Sequence, residues 1–305
     1  MNEVAEPGNA GSQTDNIFER EALADEPTIA DAIRAVIFDR LSTKIAAVLV
    51  VVFIITAVFA PTLAPYDPLS QSILNINKHP SWEHWLGTDQ FGRDVMSRMI
   101  YGSRNSLIFG LLSPIFAAIL GVTLGVTAGY FGGIVDRLIS RVVDMLMAFP
   151  ELLLAILIAA ALGGSFWNIV VVLTIAFTPG FARVARASTL AVKQEPYVEA
   201  AIAAGVSTPV IIIRHIIPNI LAPIVVLMTL WAASSIRVEA TLSFLGIGTQ
   251  PPNPSWGNII RDGLANMFAT QWPILAGGLT ITVVVLAISI LGDSVRDALD
   301  PETNQ

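Results

Sequence analysis

The chain has 305 residues, of which 54% are hydrophobic and only 13% charged. A soluble domain carries about 25% charged residues, so the composition is that of a membrane protein. The formal net charge of −7 argues against nucleic acid as a partner, and the absence of cysteine excludes disulfides, thiolate catalysis and cysteine metal sites.

Residues 1–40 form an acidic tail and lead-in. Up to Ala30 the stretch is rich in Glu, Asp, Asn, Gly and Ser, with Arg20 as its one cation, and it reads as a solvated, disordered segment. It lacks the cationic start and apolar core of a signal peptide. Arg34, Arg40 and Lys44 then precede the first apolar run, Ile45 to about Ala60, which closes in Pro61 and Pro65. A span with its cationic flank on the N-terminal side keeps that terminus in the cytoplasm.

Residues 41–105 thus hold the first span and a long external loop. Trp82, Trp85 and Tyr101 suit a membrane interface, and Leu86-Gly87-Thr88-Asp89-Gln90-Phe91-Gly92-Arg93-Asp94 lies among them, followed by Ser97-Arg98. Physics alone reads this as an interfacial loop and a short amphipathic helix. His79 and His84 flank Trp82 and Glu83 and are read as ordinary surface residues. With His215 they are too scattered for a multi-histidine metal site, so no metal is expected.

Residues 106–292 hold five further runs. The second, Ser106 to Gly129, carries Ser113, Ala117, Gly121, Gly125 and Gly129 at four-residue spacing, one small face that another helix can approach closely. Packing within the subunit is favoured over a dimer seam. A polar link from Gly132-Gly133 to Asp144 leads to the third run, about Val142 to Leu162. Arg141 is three residues from Asp144, which favours a structural pair on one face. Gly163-Gly164-Ser165 turns into the fourth run, Phe166 to about Phe181, which ends in Arg183, Arg186 and Lys193.

Residues 195–219 follow. Pro196 suits a first helical turn, Glu199 places negative charge near the positive helix end, and Ala200, Ala201, Ala203 and Ala204 form a helix with almost no bulk. Gly205 is the expected stop, Thr208-Pro209 an N-cap and first-turn proline, and Pro218 an interruption before the next run. The expectation is a helix–turn–helix elbow at the membrane surface. The fifth run, Ile220 to Ser235, meets Arg237 and Glu239, two residues apart and on different sides of a helix. Gly246-x-Gly248 is no dinucleotide fingerprint, since the third glycine is missing. The sixth run is Trp272 to Leu291, and residues 293–305 are a short tail.

Glu199-Ala200-Ala201, Gly205 and Ile217-Pro218 at this spacing resemble the EAA loop of ATP-binding-cassette importer permeases. Arg214-His215-Ile216-Ile217-Pro218-Asn219 resembles the dipeptide, oligopeptide and nickel branch, as do residues 86–94, Leu242-Ser243-Phe244-Leu245-Gly246 and the Pro-rich stretch Gln250 to Gly257. Glu239 matches the acidic position before that signature, whereas Arg237 stands where relatives commonly carry an apolar residue. The resemblance covers roughly Leu41 to Pro301.

It implies an all-α integral membrane fold with six transmembrane helices and a cytoplasmic coupling helix between spans four and five. Glu199, Ala200, Ala201, Ala204, Gly205 and Pro218 would dock an ATPase. Gly87, Thr88, Asp89, Gly92, Arg93 and Asp94 would form the external signature loop. Glu239, Ser243, Phe244 and Gly246 become candidates for the translocation path or its gate. The implied partners are a homologous permease subunit, two ATP-binding-cassette ATPases, an external solute-binding protein and the lipid of a bacterial inner membrane.

The three lysines, Lys44, Lys78 and Lys193, lie in no P-loop, so ATP and Mg would be bound by the ATPases and no catalysis is expected here. Di- or oligopeptides are the leading solute class, with nickel complexes and oligosaccharides as alternatives. An ion-coupled carrier would need intramembrane carboxylates or broken helices in a repeat, and a membrane enzyme would need a catalytic cluster. The basic residues favour the six-span topology, with Lys78, Arg93, Arg98 and Arg104 on the wrong side.

Overall fold

The computed structural model describes residues 40–299, so the acidic stretch before Arg40 and the residues after Leu299 lie outside it. Regular structure among the described residues is helical, with loops between the helices and one isolated bridge between Thr88 and Asp94. Five helices are long and apolar enough to cross a membrane: α1 (Leu41–Val58), α2 (Val95–Phe131), α5 (Phe166–Lys193), α7 (Thr208–Phe244) and α9 (Trp272–Leu299). A sixth candidate span is broken. The expected third run is a bent pair, α3 (Gly133–Met147) and α4 (Glu151–Leu162), meeting at 92°. Pro150 explains the break, because the residue before a proline is pushed out of helical geometry and the proline itself cannot continue the ladder. The polar link expected at Gly132 to Asp144 is therefore most of α3. Between the spans lie the short α6 (Pro196–Ala203) and α8 (Trp256–Ala265).

Arg40 pairs with Asp297 at 2.9 Å and Thr43 meets Ser294 at 2.9 Å, so the start of α1 and the end of α9 share one face, the terminal face. Residues 59–94, the Gly163 turn, and the segment from Leu245 to Gln271 lie at the opposite face. The long α2 starts well before the apolar run begins. Asp94 caps it by accepting from the Ser97 N–H at 2.7 Å, which starts the helix in polar sequence.

The stripe of small residues on α2 faces α5, within the subunit. The two helices run parallel, with Gly121 beside Thr178 and Ala182, Gly125 beside Ala185 and Arg186, and Gly129 beside Arg186 and Thr189. Without side chains at these points the backbones approach far closer than two leucine faces could, and dispersion between them holds the pair where lipid offers no hydrophobic drive. α7 packs antiparallel on α2, with Ser235 Oγ donating to the Phe109 carbonyl at 2.8 Å. One core joins α2, α4, α5 and α7 around Phe109, Phe177, Phe181 and Leu242. A second ties α2, α7, α8 and α9 around Trp256, whose indole N–H donates to the Met99 carbonyl at 3.2 Å.

Asp144 pairs with Arg183 of α5 at 3.0 Å, in place of the Arg141 partner expected from local spacing. Asp136 takes both donors of Arg186 on the same helix, at 2.5 and 2.6 Å. Only Val143 of α3 is fully buried, and the two ion pairs tie this helix to α5.

Candidate functional site

The elbow stands at the terminal face. Pro196 occupies the first turn of α6, and Glu199 sits in that turn. The helix ends in a Schellman motif: the Gly205 N–H donates to the Ile202 carbonyl at 3.0 Å and the Val206 N–H to the Ala201 carbonyl at 3.1 Å. Gly205 has φ of +76°, a left-handed conformation in which a side chain is strained. Nothing lies within 4 Å of the place its Cβ would take. Val198 alone anchors α6 by full burial; Glu199, Ala200, Ala203, Ala204 and Gly205 are exposed and Ala201 is half-buried. A short, capped helix with an open alanine face is a shape that another protein can grip.

Two details of the elbow differ from expectation. Ser207, one residue before Thr208, is the N-cap of α7, and it makes no side-chain cap. Pro218, which is exposed, does not interrupt the helix. A π-turn over Ile212–Ile216 takes up one extra residue just ahead of it, so the missing N–H and the ring fit and α7 continues.

At the opposite face the signature loop is a buried polar cluster. Arg93 Nε donates to Asp89 Oδ2 at 2.7 Å, and Arg98 Nη1 lies 3.2 Å from the same oxygen. Both arginines also reach Asp262 Oδ2 on α8, at 3.2 and 3.4 Å. Two cations and two carboxylates balance, which makes burial of Arg93, Arg98 and Asp89 tolerable. Asp94 joins the cap of α2 to His84, whose Nδ1 is 2.9 Å from Asp94 Oδ1. His84 is therefore an interior residue, contrary to its expected surface role. Thr88 Oγ1 accepts the Lys78 N–H at 2.8 Å and donates to the Asn75 carbonyl. Gly87 and Gly92 have positive φ, and a Cβ on either would strike backbone of the folded-over chain, at Lys78 and Ser72 respectively. Asp262 is the member that sequence reasoning missed, since nothing local marks a partner 169 residues from Arg93.

Glu239 is fully buried on α7. Ser243 Oγ donates to its Oε1 at 2.6 Å and Thr249 Oγ1 to the same oxygen at 3.0 Å, while Ser106 of α2 reaches Oε2 at 3.5 Å. The Thr249 N–H donates to Ser243 Oγ at 2.9 Å, so the network folds the loop after α7 back onto the helix. Glu239 and Ser243 are thus enclosed, whereas Phe244 and Gly246 are half-buried at the loop. The geometry brings Glu239, Ser243 and Thr249 together as a fastening for that loop.

Residues 121–305 match the family described as binding-protein-dependent transport system inner membrane component, and residues 43–80 match the N-terminal TM domain of oligopeptide transport permease C. A Brucella suis biovar 1 protein named as a peptide transport system permease is 42% identical over 99% of this chain and 98% of its own. The glutathione transport system permease protein GsiD of Escherichia coli O1:K1 / APEC is 42% identical over 84% of this chain and 85% of its own. In fold the chain resembles a chain of the MetNI methionine ABC transporter, with a TM-score of 0.52 and 18% identity, over 68% of this chain and 96% of that one. The leading family expectation is met, and the ion-coupled carrier and membrane-enzyme readings are set aside. The chain belongs to the binding-protein-dependent transport system inner membrane components, the permease subunits of ATP-binding-cassette transporters.

Proposed function

We propose that this permease subunit forms half of the pathway of an ATP-driven importer of peptides or peptide-like solutes, and that α6 is where an ATPase holds it. The observation that carries the reading is the construction of α6: one buried anchor, a left-handed glycine stop and an exposed alanine face. The relatives named for peptide and for glutathione transport support the solute class over nickel complexes or oligosaccharides. The complex would contain a second, homologous permease, two ATPases carrying ATP and Mg, and an external binding protein. Closure of the ATPases would push α6, and α5 and α7, which flank it in the chain, would carry the displacement into the membrane.

The terminal face is assigned to the cytoplasm. Arg137, Arg141, Arg183, Arg186, Lys193 and Arg214 all belong to that side, which suits the positive-inside rule. On the opposite face Arg93 and Arg98 are buried in ion pairs with Asp89 and Asp262, which leaves Lys78 and Arg104 as the cations against the assignment.

The test is uptake of a labelled dipeptide by the reconstituted complex carrying Glu199→Lys or Gly205→Asp. Both positions are exposed, so each variant should still assemble in the membrane. We expect uptake to fall at least ten-fold, with ATP hydrolysis no longer stimulated by the loaded binding protein. Wild-type uptake in both variants would remove the docking role from α6.

A further inference from the structure

Among the charged side chains of the spanning helices, Glu151 and Arg237 serve none of the networks described above. Glu151 opens α4, and its Oε1 is buried with no hydrogen-bond partner. Arg237 lies exposed on α7, where Ala233, Ser235, Ile236, Val238, Glu239 and Ala240 are all buried and Ser234 is half-buried. The hydrogen bond that Arg237 makes among the described residues is to Ser234 Oγ, at 3.3 Å. Most of its donors are left free. α4 touches α7, and Arg237 is near enough to act electrostatically on Glu151, yet the two form no ion pair.

Both groups lie at membrane depth. Glu151 is about 17 Å along α4 from the Gly163 turn, at 1.5 Å per residue, and Arg237 about 10 Å from the end of α7. Gly164 packs against Gly248 and Gln250, so these helix ends meet at one face. Unpaired charges at such depth are costly against lipid and mark a pathway or a partner. A half-buried carboxylate and an exposed guanidinium on touching helices present complementary charges to one ligand that carries both.

We propose that Glu151 and Arg237 hold the two ends of a zwitterionic solute on its way through the subunit. The Glu151 carboxylate takes the ammonium group, and the Arg237 guanidinium takes the carboxylate through paired N–H donors. Ser234 and Thr241, half-buried on the same stripe of α7, border the Arg237 end. The assignment rests on the reading that the subunit moves peptides.

The test is binding of three labelled probes, dialanine, N-acetyl-dialanine and dialanine amide, to the purified complex without its external binding protein. Uptake of dialanine by the full complex is measured alongside. Dialanine should bind the wild type about ten-fold more tightly than either blocked form. Arg237→Gln should weaken dialanine and N-acetyl-dialanine about ten-fold and leave the amide unchanged, with recovery in Arg237→Lys. Glu151→Gln should weaken dialanine and the amide and spare the N-acetyl form. Equal loss for all three probes, no change, or loss of the second permease from the Arg237→Gln complex would each overturn the assignment. Uptake without dialanine binding overturns the assignment and leaves the peptide reading standing, whereas an ATP-hydrolysing complex that takes up no dialanine overturns both.

Discussion

Replacing Gly125 by alanine puts one methyl group into the close seam between α2 and α5. That methyl carbon would lie 2.7 Å from Ala185 Cβ and 2.8 Å from the Arg186 backbone nitrogen, with the Ala182 carbonyl closer still. Carbon contacts are comfortable at about 3.5–4.0 Å, so α2 and α5 must part by close to 1 Å. The neighbours are mostly backbone and cannot rotate away, which puts the cost near the upper end of the overpacking range, about 3 kcal/mol. Alanine also favours helix over glycine by about 1 kcal/mol, which would mask part of the loss. Gly278→Ala in α9 is the control, because nothing lies within 4 Å of its added methyl and it gains the same propensity without the clash. The difference between the two variants is therefore the packing cost alone. At roughly 2–4 °C per kcal/mol, their melting midpoints in detergent should differ by roughly 6–12 °C, with Gly125→Ala the lower. Midpoints within a degree of each other would refute the argument that the small stripe of α2 exists for close approach to α5.

Three other outcomes follow from the polar contacts. Asp262→Asn leaves Arg93 and Arg98 sharing the Asp89 charge inside the protein, so it should destabilise by about 3–5 kcal/mol; a protease should then cut the 66–94 segment quickly, and wild-type resistance would show that the cluster is not holding it. Glu239→Ala removes the acceptor shared by Ser243 and Thr249, costing about 1–3 kcal/mol for each donor left unpaired; the expected sign is faster cleavage within residues 245–255, and an unchanged rate would argue against the fastening role. Asp136→Arg and Arg186→Asp should each loosen α3, and the double variant should recover part of the loss, about 1 kcal/mol for a partly exposed bidentate pair. A double variant worse than both singles would contradict the pairing.

Much of the helical frame was legible because lipid imposes long apolar runs, and the elbow because Pro196, Glu199 and Gly205 each carry a local signal. What local signals could not reach was of two kinds. The polar start of α2 is helical because Asp94 caps it and α8 packs beside it, so hydropathy placed its start at Ser106. The partners of Arg93, Asp136 and Asp144 come from distant segments, and spacing along one helix offered Asp144 only the nearby Arg141. Pro218 was misjudged for a different reason: a π-turn leaves no mark in composition, although it removes the conflict that a proline creates. The bend at Pro150 was available in principle, since a proline inside a short apolar run is itself a breaking signal.

The most direct test of the docking role uses the open face of α6. A photo-crosslinking amino acid at Ala200, with the same residue placed at Trp82 on the opposite face as the control, is incorporated into the assembled complex; Trp82 is 96% exposed, so access cannot explain a difference. Illumination should capture an ATPase subunit from position 200, in a yield that changes when ATP closes the ATPases, and none from position 82. Capture from position 82, or none from position 200 in an intact complex, would contradict α6 as the point where the ATPase takes hold.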